Sequence, residues 1–160
     1  MSSVKTFTLQ EAREFVPRLR HLVEGANVEL EYLSGGLEEA NKRYADAESV
    51  LRTCKPEADD KQANKKMREA RDEFQQAIEV LSAAQNEYLE CLNVWVERIT
   101  EIGVILRDIR TGLLDFPARE GAFEYFLCWK LDDEEISYWH PIHEGLRGRK
   151  PLSVLPEYAL

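Results

Sequence analysis

Cysteine is scarce in this chain: Cys54, Cys91 and Cys128 are the only three in 160 residues, far apart and in no paired spacing. That excludes a disulfide framework, and the three read as reduced thiols of a reducing compartment with no chemistry assigned to them. Long apolar runs are also missing. Nothing approaches the roughly 20 consecutive apolar residues of a membrane span, and the polar start MSSVKTFT lacks a signal peptide's apolar stretch. A cytoplasmic protein is expected. Positive charge is in deficit, 21 Lys and Arg against 30 Asp and Glu for a net charge of −9, so duplex DNA and anionic membranes are poor partners. No Gly-rich phosphate loop, nucleophile elbow or Cys–His pair occurs, which leaves ordinary nucleophilic catalysis without machinery.

What the chain does have is a heptad seam. Leu9, Ala12, Val16, Leu19, Val23, Ala26, Leu30, Leu33, Leu37, Ala40, Tyr44, Ala47 and Leu51 follow at alternating steps of three and four. Thr8 with Glu11 predicts a capping box at the start of this helix. Pro17 is expected to kink it, and Gly35 and Gly36 to loosen it, without breaking the phase of the seam. CKPEADD at 54–60 reads as a hairpin tip. Beyond it Ala63, Met67, Ala70, Phe74, Ala77, Leu81, Ala84, Tyr88, Cys91 and Trp95 repeat the pattern up to Gly103. Alanine at every seventh residue from Ala63 to Ala84 lets two antiparallel helices approach closely. Phe15, Leu22, Ile78, Leu92 and Val96 flank the seams and are free to cover a third helix or a sheet.

After Gly103 the period becomes two. GVILRDIRTGLLDF reads as two short strands around a turn at Asp108 to Gly112. Phe123 to Leu131 alternates as a third strand, and Ile136, Tyr138 and His140 alternate as a fourth after the acidic turn DDEE, read as solvated. The expected architecture is α+β, mainly α, in a single domain spanning residues 1–160. A long antiparallel two-helix coiled-coil hairpin fills 8–102, and a small C-terminal antiparallel β-meander with a strap fills 103–160.

FTLQEAREFVPRLR, GLLDFPAR, LCWKL and YWHPIHEGLRGRKPL together resemble the domain of unknown function 2203 family of bacterial and archaeal proteins. Asp115, Phe116, Pro117, Trp129, Trp139, His140, Gly145, Gly148, Arg149, Pro151 and Leu152 match its pattern. The resemblance implies a small cytosolic protein with a helical hairpin and a C-terminal β-region, and it implies no reaction. His143 and Leu146 depart from the polar and aromatic residues it would place there.

SYWHPIHEGLRGRK, residues 137–150, is the chemistry-bearing stretch. Alternation sets His140 on an apolar face with Ile136 and Tyr138, where a neutral imidazole bonded to a carboxylate or carbonyl is the ordinary outcome. Asp115, His140, His143 and Glu144 are alternatively a metal set of N and O donors for Zn, Mn or Fe. Gly145, Arg147, Gly148, Arg149 and Lys150 form a basic loop. Arg149, with Trp139, is its candidate ligand-binding pair, unless Arg149 only pairs with Asp115 or Glu144 to fix the strap. The leading expectation for function is a coiled-coil interaction protein that forms a homodimer or takes a partner helix. The competing expectation is a metal-dependent hydrolase or small-anion-binding enzyme.

Overall fold

The computed structural model describes residues 3–155; of the expected strap, 156–160 lie outside the described residues. Helix α1 spans Leu9–Thr53 and helix α2 spans Lys61–Thr100. The capping box forms as expected: the Glu11 N–H donates to Thr8 Oγ1 at 3.1 Å, and the Thr8 N–H donates to Glu11 Oε2 at 2.9 Å. Helix α1 stays helical through Pro17 and through Gly35 and Gly36. Helix α2 gives way to a turn closed by Gly103 at φ 105°, a conformation glycine adopts without strain. No helix among the described residues is long and apolar enough to cross a membrane.

Contacts divide the chain into two compact units, Glu29–Leu92 and the residues on either side of it. Within Glu29–Leu92 the two helices pack against each other along the alanine seam, where Ala40, Ala47, Ala70 and Ala77 are all buried. Tyr44 and Phe74 face each other with ring centroids 5.3 Å apart, and Arg43 Nε lies 2.7 Å from Glu73 Oε1. At the tip, Asp60 Oδ1 accepts the free N–H groups of Gln62 and Ala63 at 2.9 and 3.1 Å, starting α2.

The other unit joins the start of α1, the end of α2 and a five-stranded antiparallel sheet in the order β1-β2-β3-β4-β5. Its strands are β1 Ile105–Asp108, β2 Leu113–Glu120, β3 Phe123–Trp129, β4 Tyr138–Pro141 and β5 Lys150–Pro151. The four strands read from the sequence are present, and the two-residue β5 is an addition too short to alternate. Gly121 at φ 59°, followed by Ala122 without positive φ, makes the two-residue link between β2 and β3.

One sheet face carries Leu114, Phe116, Ala118, Tyr125, Leu127, Trp129 and Trp139. It packs into a core with Phe7, Ala12, Val16, Leu19, Val23, Ile99 and Ile102. Phe15 and Leu22 pack against this same core, so these two flanking residues serve the sheet rather than a third helix. Ile136 also enters the core, but from the loop before β4, which begins only at Tyr138. The register pairs His140 with Phe126 and Trp139 with Leu127, so His140 lies on the face opposite the core. The expected shared face for Ile136 and His140 is therefore corrected, because the alternation begins two residues later than the sequence suggests.

A polar stripe beside the seam ties α1 to the loops of the sheet. Arg13 Nη2 donates to the Ile136 carbonyl at 3.1 Å. Arg20 donates to the carbonyls of Leu131 and Asp133 at 2.8 and 2.7 Å. Asn27 Nδ2 donates to those of Ile109 and Arg110 at 3.3 and 3.2 Å. These residues recur every seventh position, so they project from one side of the helix and satisfy loop carbonyls that no strand pairs.

Candidate functional site

The outer sheet face holds a buried polar cluster. Asp115 sits in β2 opposite Cys128 of β3, and Cys128 sits opposite Tyr138 of β4, two positions before His140 and on the same face. Asp115 is 2% exposed, His140 2% and Cys128 0%. One donor atom from each of the three lies within 4.8 Å of the others. A carboxylate oxygen, an imidazole nitrogen and a sulfur thus converge from three adjacent strands.

The hydrogen bonds fix how these donors are presented. His140 Nδ1 lies 2.9 Å from the Pro141 carbonyl oxygen, which can only accept, so Nδ1 carries hydrogen. Nε2 then faces Asp115 Oδ1 at 2.8 Å. In a neutral ring with hydrogen on Nδ1, Nε2 is a lone pair, and two lone pairs at that distance repel. A proton shared between Nε2 and Oδ1 makes the contact a hydrogen bond, and a metal ion held by both atoms from beside it would satisfy them equally.

The second oxygen of Asp115 accepts from Arg107 Nε at 2.9 Å. The register of β1 on β2 shifts between Leu106 and Asp108, leaving Arg107 as the extra residue of a bulge. Bulges re-aim a side chain, and this one brings Arg107 to Asp115. The guanidinium also lies over the Phe126 ring, 5.5 Å from its centroid.

Burial pushes the Cys128 thiol up to about 12, with the neighbouring Asp115 charge adding to the shift. The thiol is therefore protonated and inert at neutral pH unless a metal displaces its proton. Native protein treated with iodoacetamide at neutral pH is expected to lose Cys54 and Cys91, both partly exposed, well before Cys128, as peptide mass mapping would register. Because the folded-state value is raised above the ordinary 9.0, the stabilisation from this protonated thiol is complete below pH 9. It fades as pH climbs toward about 12, and the stability gap between the wild-type chain and Cys128→Ala should narrow over that window.

Above the cluster opens a cleft of about 360 Å³ lined by Arg107, Asp115, Cys128, His140, His143 and Glu144 together with Leu113, Ile142, Gly145 and Leu146. All four residues of the expected metal set border one cavity, but they are not equivalent. Asp115 and His140 form its buried floor, whereas His143 and Glu144 are exposed on the rim. Glu144 Oε2 lies 3.8 Å from Lys150 Nζ, and its side chain covers Gly148, where an added Cβ would collide with the Glu144 side chain.

Arg149 and Trp139 are placed elsewhere. Arg149 pairs with Asp133, not with Asp115 or Glu144, and its guanidinium stacks 3.9 Å from the centroid of Tyr138. Asp133 is correspondingly no solvated turn residue: its side chain is 13% exposed and also accepts the Lys130 N–H at 3.1 Å. Trp139 is 5% exposed on the core face, with Nε1 lacking a hydrogen-bond partner among the described residues. Cys128 and Arg107 are the cleft residues that sequence reasoning missed. Only the strand register and the bulge reveal them.

A family profile described as an uncharacterized conserved protein, DUF2203, matches residues 5–152. The chain belongs to the DUF2203 family. The match spans both helices, strands β1 to β5 and every residue of the cleft, so the site lies wholly inside the DUF2203 region. Neither a curated protein nor a solved structure matches this DUF2203 chain.

Proposed function

We propose that this DUF2203 protein binds a divalent transition metal through Asp115, Cys128 and His140 and presents it to a small ligand in the cleft, as a metal-dependent hydrolase does. One observation carries the reading: three buried donors of different type converge, and His140 turns Nε2 toward Asp115 while Nδ1 lies against a backbone carbonyl. Metal-bound histidines are commonly oriented by such a second bond. The thiol favours Zn²⁺ or Fe²⁺ over Mn²⁺, since soft sulfur selects the former. Three protein ligands beneath an open cleft suit a catalytic rather than a structural ion, leaving a fourth position for water or substrate. A metal there supplies Lewis acidity and an acidified water. His143 and Glu144 on the rim are then the groups able to take up that water's proton.

Protein purified without a histidine tag is expected to carry about one zinc or iron per chain by elemental analysis. His140→Ala should lose it. Metal well below stoichiometry in wild-type protein grown with several metal supplements would reject the reading.

Self-association is the second reading, favoured by large apolar side chains left in solvent on the Glu29–Leu92 helices. Tyr32 is 81% exposed, Val50 and Leu89 54% each, and Val80 42%. A homodimer covering them should appear in sedimentation equilibrium at micromolar concentration and dissociate in Tyr32→Glu. A monomer throughout the accessible range would dismiss it.

A further inference from the structure

The geometry points to Arg107 as the receptor for an oxyanion, a carboxylate or phosphate group, that enters the cleft beside Asp115, Cys128 and His140. The inference deepens the metal reading and rests on the same cleft, although its own geometry does not require the ion.

Three constraints hold the Arg107 side chain. Its Nε donates to Asp115 Oδ2 at 2.9 Å. Its guanidinium carbon lies over the Phe126 ring, 5.5 Å from the centroid. Its backbone is the extra residue of the β1 bulge. Among the described residues, nothing hydrogen-bonds its two terminal nitrogens. The side chain is 46% exposed and lines the cleft, so these nitrogens remain accessible. A guanidinium tethered by Nε and set over an aromatic ring has lost part of its rotamer freedom before any ligand arrives. Its open edge offers the parallel N–H pair that matches two oxygens of a carboxylate or phosphate.

Two other cations near the cleft already have carboxylate partners. Arg149 is spent on Asp133, and Lys150 lies 3.8 Å from Glu144. Lys150 also offsets the rim carboxylate that would otherwise repel an anion. The cavity of about 360 Å³ suits a small oxyanion or the acidic end of a larger substrate rather than a polymer. The buried Asp115 serves both purposes at once: Oδ1 faces His140 and Oδ2 aims Arg107. In a metal-loaded protein the same carboxylate would set the distance between the ion and the anion, placing the scissile group of an ester or phosphoester between them.

The test uses inorganic phosphate and acetate as separate probes, titrated calorimetrically into full-length protein both after chelator treatment and after zinc loading. Wild-type protein is expected to bind at least one probe saturably in either state, and the preferred probe separates a phosphate from a carboxylate ligand. Arg107→Lys keeps a cation for Asp115 but has no second pair of donors, and it should weaken binding at least tenfold while retaining the far-ultraviolet dichroism of the fold. Should Arg107→Lys fail to fold, Phe126→Leu, which removes the ring beneath the guanidinium, should still weaken binding several-fold. Arg147→Ala, an exposed cation of the neighbouring loop, should leave affinity within twofold. Absence of saturable binding to either probe overturns the proposal, as does equal weakening by Arg147→Ala, which would mean diffuse attraction to the basic loop. Anion binding by a protein that takes up no zinc on loading would refute the metal reading alone; zinc uptake without anion binding would refute the Arg107 inference alone.

Discussion

Asp115→Ala is expected to destabilise the protein by about 3 kcal/mol and to abolish metal binding, whereas Asp115→Asn should spare most of the stability and still lose the metal. Alanine leaves His140, 2% exposed, without a partner for Nε2 and removes the counter-ion of Arg107. Uncompensated buried charges typically cost about 3–5 kcal/mol, and the lower end applies because the Arg107 side chain is 46% exposed. Asparagine keeps the shape. Its amide nitrogen can donate to the Nε2 lone pair while its oxygen accepts from Arg107, so hydrogen bonding survives and only the anion is lost. Chemical denaturation of both variants, paired with elemental analysis, separates the structural role from the ligand role. Equal stability loss in both would show that charge, rather than hydrogen bonding, holds the cluster.

Trp129→Ala should cost about 3–5 kcal/mol, lowering a urea midpoint by about 2 M for a protein of this size. The indole is fully buried within the core of the sheet-bearing unit. Its Nε1–H donates to the Asp133 carbonyl at 3.1 Å, and the Arg20 guanidinium lies 5.3 Å from the ring centroid. Asp133 also holds Arg149, so one loop is secured from the core, from α1 and from the β5 segment. Trp129→Phe, which keeps most of the apolar volume but not the N–H, should lose far less, about 1–2 kcal/mol. An alanine variant as stable as wild type in equilibrium denaturation would contradict this view of the core.

These two residues also mark what local sequence pattern can convey. The helices were legible because an apolar seam at steps of three and four depends only on neighbours along the chain. Every seam position from Ala12 to Leu30 is buried as the pattern requires. The capping box at Thr8 and Glu11 and the tip at 54–60 are equally local. Pairings across strands are different. Arg13, Arg20 and Asn27 look like solvated surface until the carbonyls they meet, 82 to 123 residues away, come into place. Asp133 reads as one acidic residue among four, and only the fold selects it as the partner of Arg149.

The candidate site follows the same division. Asp115 and His140 could be singled out by residue type, and they do meet. Cys128 could not, because it lies between the apolar Leu127 and Trp129 and gains its neighbours only from the register of β2 and β3. Arg107 depended on a bulge that no alternation announces. His143 and Glu144 reach the same cleft, but their position beyond β4 puts them on its rim rather than its floor.

Cobalt titration of tag-free, chelator-treated protein tests the central claim most directly, because Co²⁺ reports its ligands in its absorption. One equivalent should develop the intense visible bands of a four-coordinate ion together with a near-ultraviolet sulfur-to-cobalt transition, and Cys128→Ser should abolish that transition. A featureless titration of the wild-type protein, or a sulfur transition that persists unchanged in Cys128→Ser, would contradict a metal centre built on Asp115, Cys128 and His140.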